Sequence, residues 1–155
     1  MIILLEGPDG SGKTTLANKI QQQTGYTLLH RSYPKTEEEK ANMKNEYLEV
    51  IKSRKNVIID RCWYSEMVYG PVMRGESNIT YPDMYELEKA VVRYGGGIVI
   101  HCTGPINTLW QRCLSRGEDY VVDKDTYREI YTAYDTVMDG VPHIIPVLTY
   151  EYKDL

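Results

Sequence analysis

The sequence predicts an α/β fold, a three-layer α/β/α sandwich in which helices cover both faces of a five-stranded parallel sheet. Five short apolar runs alternate along the chain with segments whose apolar residues recur at helical spacing. The apolar runs are continuous rather than alternating, which is typical of parallel strands that are buried on both faces. Strands that alternate with helices favour right-handed crossovers around a single sheet.

Each predicted strand is an apolar run, and each predicted helix fills the segment between two runs. The strands are expected at residues 1–6, 26–30, 56–60, 97–102 and 143–148. The helices are expected at residues 16–20, 35–54, 64–73, 83–94, 107–115 and 124–138. The glycines at 95–97 end one helix, because glycine readily takes the left-handed conformation found at helix ends.

Composition and charge are those of an ordinary globular domain. Hydrophobic residues make up 42% of the chain and charged residues 26%, and 155 residues can bury a sizeable core. A net charge of −4 argues against a protein that coats nucleic acid non-specifically, because such a protein needs a broad basic face. The apolar runs are too short to span a membrane. We therefore expect a single domain over residues 1–155 and no membrane partner.

The cysteines and the N-terminus indicate the compartment. Cys62, Cys102 and Cys113 show no C-x-x-C spacing, which predicts buried thiols rather than a disulfide framework or a zinc site. Such thiols are typical of a reducing cytosol. The N-terminus passes directly into the first predicted strand, which leaves no room for a signal peptide. We expect a cytoplasmic protein, in the host cytoplasm if the source is viral.

Residues 7–14 form a complete phosphate-binding motif, G-x-x-x-x-G-K-[ST]. The motif follows an apolar run and opens a helical segment, which is the context that it needs. Lys13 can reach the outer phosphates of a nucleoside triphosphate, and the Thr14 hydroxyl can bind magnesium. The sequence therefore predicts ATP as phosphoryl donor with Mg²⁺ as cofactor. The expected phosphate-binding residues are Gly7, Pro8, Asp9, Gly10, Ser11, Gly12, Lys13, Thr14 and Thr15.

The third predicted strand ends in Asp60 and Arg61. An acidic residue that ends a buried strand beside a phosphate loop commonly holds magnesium or orients a bound water. A guanidinium group offers several donors that suit phosphate oxygens. We expect Thr14 and Asp60 to form the metal site, although a salt bridge that merely caps the strand is an open alternative.

Several residues together resemble the thymidylate kinases, whose fold is shared with the deoxynucleoside kinases. The resemblance is carried by residues 6–15, Asp60, Arg61, Ser65 and Tyr69. It implies that Asp9 lies close to the acceptor sugar and that Arg61 approaches the reacting phosphates. It also implies that Ser65 and Tyr69 line the acceptor pocket. The chain resembles a short, phage-type member, and because thymidylate kinases are usually dimers, a homodimer is a further implication.

Residues 112–123 are similar to the mobile lid of these kinases, in which arginines fold over the triphosphate. The spacing of Arg112 and Arg116 places both on one helix face, and a closing loop would bring their charge to the transferring phosphoryl group without water. A solvated helix end is the alternative. The expected catalytic residues are Lys13, Asp9, Arg61, Arg112 and Arg116. The helix after the lid carries a stripe predicted to face the core: Tyr127, Ile130, Tyr131, Tyr134 and Met138.

The end of the second predicted strand bears on the acceptor. Deoxynucleoside kinases place a glutamate there as general base for a sugar hydroxyl. Here Arg31 occupies this region, and no carboxylate follows before Glu37. A phosphate acceptor is already anionic and benefits from a cation. We therefore expect phosphorylation of a deoxynucleoside monophosphate, dTMP or a modified analogue, to the diphosphate.

The acceptor pocket departs from the thymidylate kinase pattern, because the base-stacking phenylalanine and its neighbouring arginine have no clear counterpart. Tyr47 or Tyr33 could replace the aromatic ring, and Lys44 or Arg54 the cation. Glu66 lies at a position that could accommodate a modified or different base. The expected acceptor-binding residues are Asp9, Arg31, Tyr33, Arg61, Ser65, Glu66 and Tyr69.

Three other functions stay open at this point. One is a deoxynucleoside kinase. Another is a P-loop kinase that phosphorylates a modified thymine such as hydroxymethyluracil within DNA, but the basic track that DNA would need is not visible in the composition. The third is a non-catalytic nucleotide switch. A switch does not need several cations around the transferring group, and the cations at Lys13, Arg61, Arg112 and Arg116 argue against it.

Overall fold

The structure, a computed structural model, describes residues 1–31, 34–53, 55–116 and 123–152. Within these ranges the chain forms five strands and six helices. The strands are β1 (Ile2–Glu6), β2 (Thr27–His30), β3 (Val57–Asp60), β4 (Gly97–Thr103) and β5 (Val147–Glu151). The helices are α1 (Lys13–Thr24), α2 (Glu37–Ser53), α3 (Trp63–Arg74), α4 (Tyr81–Arg93), α5 (Ile106–Ser115) and α6 (Lys124–Asp139). None of the helices in these ranges has the length and apolar character that crossing a membrane requires.

All five described strands are parallel and lie in the order β2-β3-β1-β4-β5. β1 is central, with Leu5 opposite Asp60 of β3 and Glu6 opposite His101 of β4. The strand order therefore reverses at β1, and ligands bind beyond the carboxyl ends of the strands at such a point. The predicted fold class is confirmed.

The two faces of β1 pack against different helices. Ile3 and Leu5 lie in a small cluster with Ala17 of α1. Ile2 and Leu4 lie in the large core cluster, which contains residues from α2 through α6. Burying each of these aliphatic side chains contributes about 1.5–3 kcal/mol. This packing fixes α1, and with it the phosphate loop, against the end of β1.

The last strand begins later than predicted. The apolar run at 143–148 was expected to be the strand, but β5 begins at Val147. Pro146 has no N–H to give to a ladder, although its carbonyl accepts from Val99 N at 3.0 Å. Ile145 is buried in the core instead, and His143 is held by side chains of α4 and backbone of α6. The part of the run before Pro146 therefore packs partly in the core, through Ile145, while Ile144 is 43% exposed. The other predicted elements lie where expected, with ends that differ by a few residues.

The cysteines match the expectation of buried thiols. Cys62, Cys102 and Cys113 are all free and buried. Burial raises the pKa of Cys102 to about 12, so its thiol stays protonated at neutral pH.

Candidate active site at the carboxyl ends of the strands

The phosphate loop lies between β1 and α1, pressed against β4 and α5. A Cβ on Gly7 would lie 2.2 Å from the carbonyl oxygen of Cys102, and one on Gly10 would lie 2.4 Å from that of Leu109. Gly10 also has a φ of 83°, in the left-handed region. Only glycine fits at these positions, so the close approach of backbone to backbone defines the loop. The N-terminus of α1, at Lys13, opens towards the same space and favours anions there.

Asp60, at the end of β3, connects to the loop. Lys13 Nζ lies 2.9 Å from Asp60 Oδ1, and Thr14 Oγ1 donates to Asp60 Oδ2 at 3.2 Å. His30 Nδ1 lies 3.0 Å from the same oxygen. Burial raises the pKa of Asp60, but the charges of Lys13 and Arg61 and the bond from Lys13 outweigh it, so the pKa lies below its ordinary value. Asp60 is therefore ionised at neutral pH.

The oxygens of Thr14 and Asp60 fit a magnesium site. Mg²⁺ takes hard oxygen ligands and is usually held by one carboxylate or two together with substrate phosphates. A carboxylate and a hydroxyl that already contact each other beside an anion-binding loop provide such a ligand set. The salt bridge expected as the alternative is also present, from Lys13 to Asp60.

Arg61 occupies a strained position directly after β3. Its φ is 70°, which is uncommon for a residue with a side chain, and such strain is often found at active sites. Its guanidinium pairs with Asp9 Oδ1 at 2.5 Å and donates to Tyr134 OH at 3.2 Å. The Arg61 Cζ atom also lies 5.2 Å from the ring centroid of Tyr69. Loop, β3, α3 and α6 thus all contribute to holding this one cation.

A buried carboxylate, Glu6, supports this arrangement from below. Its Oε1 accepts from Cys62 N at 2.6 Å, and its Oε2 accepts from Ser65 Oγ at 2.7 Å and from Tyr134 OH at 3.0 Å. Tyr127 OH donates to the carbonyl of Asp9. Glu6, Tyr127 and Tyr134 were not predicted as site residues. A fully buried acidic residue at the end of an apolar strand is the signal that could have indicated Glu6.

The loop and the strand ends enclose a cavity of about 410 Å³. In the described part of the chain, four cationic side chains line it: Lys13, Arg31, Arg61 and Arg116. A smaller pocket adjoins it and shares Arg31 and Arg61 with it. The rest of that pocket is formed by Pro34, Met43, Tyr47, Cys62, Ser65 and Glu66. The cations therefore stand between the phosphate loop and a second, partly apolar pocket.

Comparison with known proteins found a matching family model and similar proteins of known structure. Residues 3–60 match the family described as "ATPase family associated with various cellular activities (AAA)". The chain is 27% identical to the SPbeta prophage-derived protein YorR of Bacillus subtilis strain 168, over 83% of this chain and 81% of YorR. The crystal structure of YorR in complex with phosphorylated GDP matches with a TM-score of 0.77 and 25% identity, over 98% of this chain and 85% of that one.

Deoxyadenosine kinase from M. mycoides is a second structural match. Its structure with bound dATP has a TM-score of 0.67 and 17% identity, over 97% of this chain and 91% of that one. Its structure with dCMP and a flexible dCDP has a TM-score of 0.65 and 17% identity, over 97% and 89%. This chain has the fold of the P-loop nucleotide kinases. The predicted P-loop kinase fold is therefore confirmed, and the thymidylate kinase subtype stays a prediction.

The residues predicted to bind the acceptor lie in different parts of this P-loop kinase fold. Arg31, Arg61, Ser65 and Glu66 line the pocket beside the phosphate cavity. Tyr69 is buried beneath the Arg61 guanidinium, where it supports that cation. Tyr33 lies outside the described residues.

The residues expected to replace the missing base-stacking phenylalanine and its neighbouring arginine also lie in different places. Tyr47 lines the smaller pocket, with the Arg31 Cζ atom 5.1 Å from its ring centroid. Lys44 instead pairs with Asp83 and Glu86 of α4, so it does not supply the cation in this conformation. Arg54 lies outside the described residues. The aromatic role therefore fits Tyr47.

The two arginines predicted to belong to a lid face different cavities. Arg116, the residue that ends α5, lines the phosphate cavity. Arg112 instead lies over the ring of Tyr152, with Cζ 3.9 Å from the centroid, beside an open pocket formed by α5 and the end of β5. Helical spacing predicted a shared face for both. The predicted lid continues into residues 117–122, which lie outside the described residues.

Proposed function

We propose that this chain is a nucleoside monophosphate kinase. It would transfer the γ-phosphoryl group of ATP to the phosphate of a deoxynucleoside monophosphate, dTMP or a modified analogue, and release the diphosphate. The single observation that carries the proposal is the set of cations between the donor loop and the acceptor pocket. Holding a triphosphate alone would not require Arg31 and Arg61 on the acceptor side. A guanine nucleotide is the second candidate acceptor, because YorR binds phosphorylated GDP.

The acceptor end of the site suits an anion better than a neutral hydroxyl. Arg31 lines both the phosphate cavity and the acceptor pocket, and its nearest described carboxylate partner, Glu46, is 3.8 Å away on the surface of α2. A phosphate oxygen attacks without losing a proton first, so no general base is required. Positive charge that brings two anions together is required, since they otherwise repel. Arg31 and Arg61 would supply it.

In the proposed reaction, each contact of the site has a role. Lys13 and the loop amides would hold the donor phosphates. Thr14 and Asp60 would hold Mg²⁺, which would neutralise negative charge on the donor phosphates when bound. Asp9 would orient the acceptor sugar, and Arg61 would neutralise the developing charge on the transferring group. Catalysis of this kind consists mostly of positioning and electrostatic stabilisation.

A substrate panel tests the proposal. Labelled ATP would be incubated with deoxynucleosides, with their monophosphates including dTMP and dGMP, and with DNA that contains normal or modified thymine. Product masses identify the acceptor. A diphosphate product supports the proposal, and its base selects between the two candidates. Product only from nucleosides or only from DNA would contradict it.

Asp9 to asparagine should raise the KM for the acceptor about ten- to a hundred-fold, which corresponds to the loss of a hydrogen bond to a charged group. The affinity for ATP should change by no more than a few-fold, because the loop backbone is retained. Initial rates measured against each substrate give both quantities. Asp125 to asparagine, an exposed change on α6, is the control. Equal damage to both substrates would instead make Asp9 a structural residue of the loop.

The donor base is expected beside Arg112 and Tyr152. Base stacking is worth about 1–3 kcal/mol, so Arg112 to alanine should raise the KM for ATP roughly five- to 150-fold while kcat stays within a few-fold. Arg93 to alanine is the matched control, because Arg93 makes a similar contact with Tyr94 at the exposed end of α4. An unchanged KM for ATP together with a large loss in kcat would return Arg112 to the catalytic role expected from the sequence.

A further inference from the structure

A second group of chemistry-bearing side chains lies away from the phosphate loop, between β4 and α6. His101 of β4 faces Asp135 and Asp139, which lie one turn apart on α6. One ligand atom from each of the three residues lies within 4.8 Å of the others. His101 Nδ1 is 3.6 Å from Asp139 Oδ2, which is beyond hydrogen-bonding distance. The described residues contain no other cluster of this kind.

His101 is the unusual member of this group. Its side chain is 1% exposed, and among the described residues neither ring nitrogen has a hydrogen-bond partner. Buried polar groups are nearly always paired, and an unpaired one costs free energy. Its ring stacks on Tyr134, with the centroids 6.2 Å apart, so the imidazole is held in place. A buried, fixed and unpaired nitrogen that faces two carboxylates has the arrangement of a metal ligand.

The two aspartates provide charge and access. Like charges one turn apart repel each other, and a cation between them would remove that repulsion. Asp135 and Asp139 are both exposed, so an ion could enter from solvent. Burial lowers the pKa of His101, although the charges of Asp139 and Asp135 oppose this shift.

We propose that His101, Asp135 and Asp139 form a binding site for a divalent transition metal, with Zn²⁺ as the ion that the ligand set fits best. One imidazole nitrogen and two carboxylate oxygens, with water in the remaining position, form a four-coordinate set suited to zinc. The all-oxygen set of Thr14 and Asp60 suits Mg²⁺ instead, so the two sites differ in ion preference.

The consequence of binding is structural. The metal would join β4 to α6, and α6 carries Tyr127 and Tyr134, whose hydroxyls contact Asp9 and Arg61. An ion that binds only the folded chain stabilises it by mass action. At a free Zn²⁺ concentration about a hundred times the Kd, the melting temperature should rise by roughly 5–10 °C.

Zinc binding to the full-length chain provides the test. Competition with a chromophoric chelator should give one Zn²⁺ per chain, and the Nδ1 resonance of His101 should shift in nitrogen-detected NMR. The double variant Asp135→Asn with Asp139→Asn should lose at least tenfold in affinity and lose the melting shift. Asp125→Asn with Glu129→Gln is the matched control, because it removes two exposed charges at the same spacing from the same helix.

Two results would overturn the proposal. One is equal zinc affinity in the double variant and its control. The other is a shift at His30, near Asp60, with none at His101, because zinc would then occupy the phosphate site. The His30→Ala background removes the imidazole of that competing site, and the zinc binding measured in it should remain. Neither readout depends on kinase activity, and the exposed aspartates can be changed without disturbing the core.

Discussion

Alanine in place of Arg61 should lower kcat about 10³-fold, because a well-placed arginine at the transferring phosphoryl group contributes at least that much. The Kd for ATP should change by only a few-fold, since Lys13 and the loop backbone are retained. Single-turnover rates with saturating substrates, together with ATP binding measured separately, give the two quantities. A turnover within a few-fold of the parent would show that Arg61 does not act on the reacting phosphates.

The controls for this prediction follow from the contacts of Arg61. Because Asp9 and Tyr134 would lose their partner, part of the effect could arise from a loosened site. Tyr134 to phenylalanine removes one of these contacts and leaves the cation, so it should cost much less in kcat. Arg61 to lysine keeps the charge but not the planar group of donors, and its rate should lie between the parent and the alanine variant. Equal losses in all three variants would indicate a purely structural role.

The predictable part of this site lies in short stretches of sequence. The phosphate loop is one continuous stretch of sequence, so its motif can be recognised without the structure. The glycines of that motif are the residues that the close backbone contacts of the loop require. Asp60 and Arg61 could be placed because the carboxyl ends of neighbouring parallel strands meet at one edge of the sheet. The fold class could be predicted because continuous apolar runs indicate parallel strands that are buried on both faces.

The part that could not be predicted depends on contacts between distant residues. Tyr134 OH reaches Glu6 across 128 positions of sequence, and helical spacing alone showed only that this tyrosine faces the core. Arg112 and Arg116 share a helix face by spacing, yet Arg112 lies over the ring of Tyr152, which follows β5, while Arg116 lines the phosphate cavity. The late start of β5 has the same origin, because Ile145 packs in the core and His143 contacts α4 and α6.

The segment before β5 forms a buried ion pair with α4. Glu88 of α4 is fully buried and accepts from Tyr64 OH, from His143 Nδ1 at 2.7 Å and from Ile144 N. His143 Nε2 lies 2.8 Å from the carbonyl oxygen of Val137. Both ring nitrogens therefore face acceptors, which only the protonated imidazolium satisfies. Burial lowers the pKa of His143, but the bond to Glu88, the Val137 carbonyl and the charge of Glu88 outweigh it and raise the pKa above 6.5.

The direction of both pKa shifts fixes the pH range in which this pair stabilises the fold. A raised pKa on His143 contributes stability that is complete below pH 6.5 and is lost as pH rises through the folded value. Burial raises the pKa of Glu88, but bonds from His143 and Tyr64 lower it overall below 4.5. Its contribution is present above pH 4.5 and is lost as pH falls through the folded value. The pair should therefore stabilise most between these limits.

Glutamine in place of Glu88 should lower the free energy of unfolding by about 3–5 kcal/mol at pH 6, because the imidazolium of His143 would be left buried without its counter-ion. The loss should shrink as pH rises from 6.5 through the raised pKa of His143, because first the unfolded chain and then the folded parent release this proton. Urea unfolding of both proteins from pH 5 to 9 measures this difference. Glu86 to glutamine is the matched control on the same helix. It breaks an exposed pair with Lys44 and should cost no more than about 1 kcal/mol. A pH-independent loss at Glu88 would mean that His143 is neutral in the fold, and that the carboxylate is held by Tyr64 and Ile144 alone.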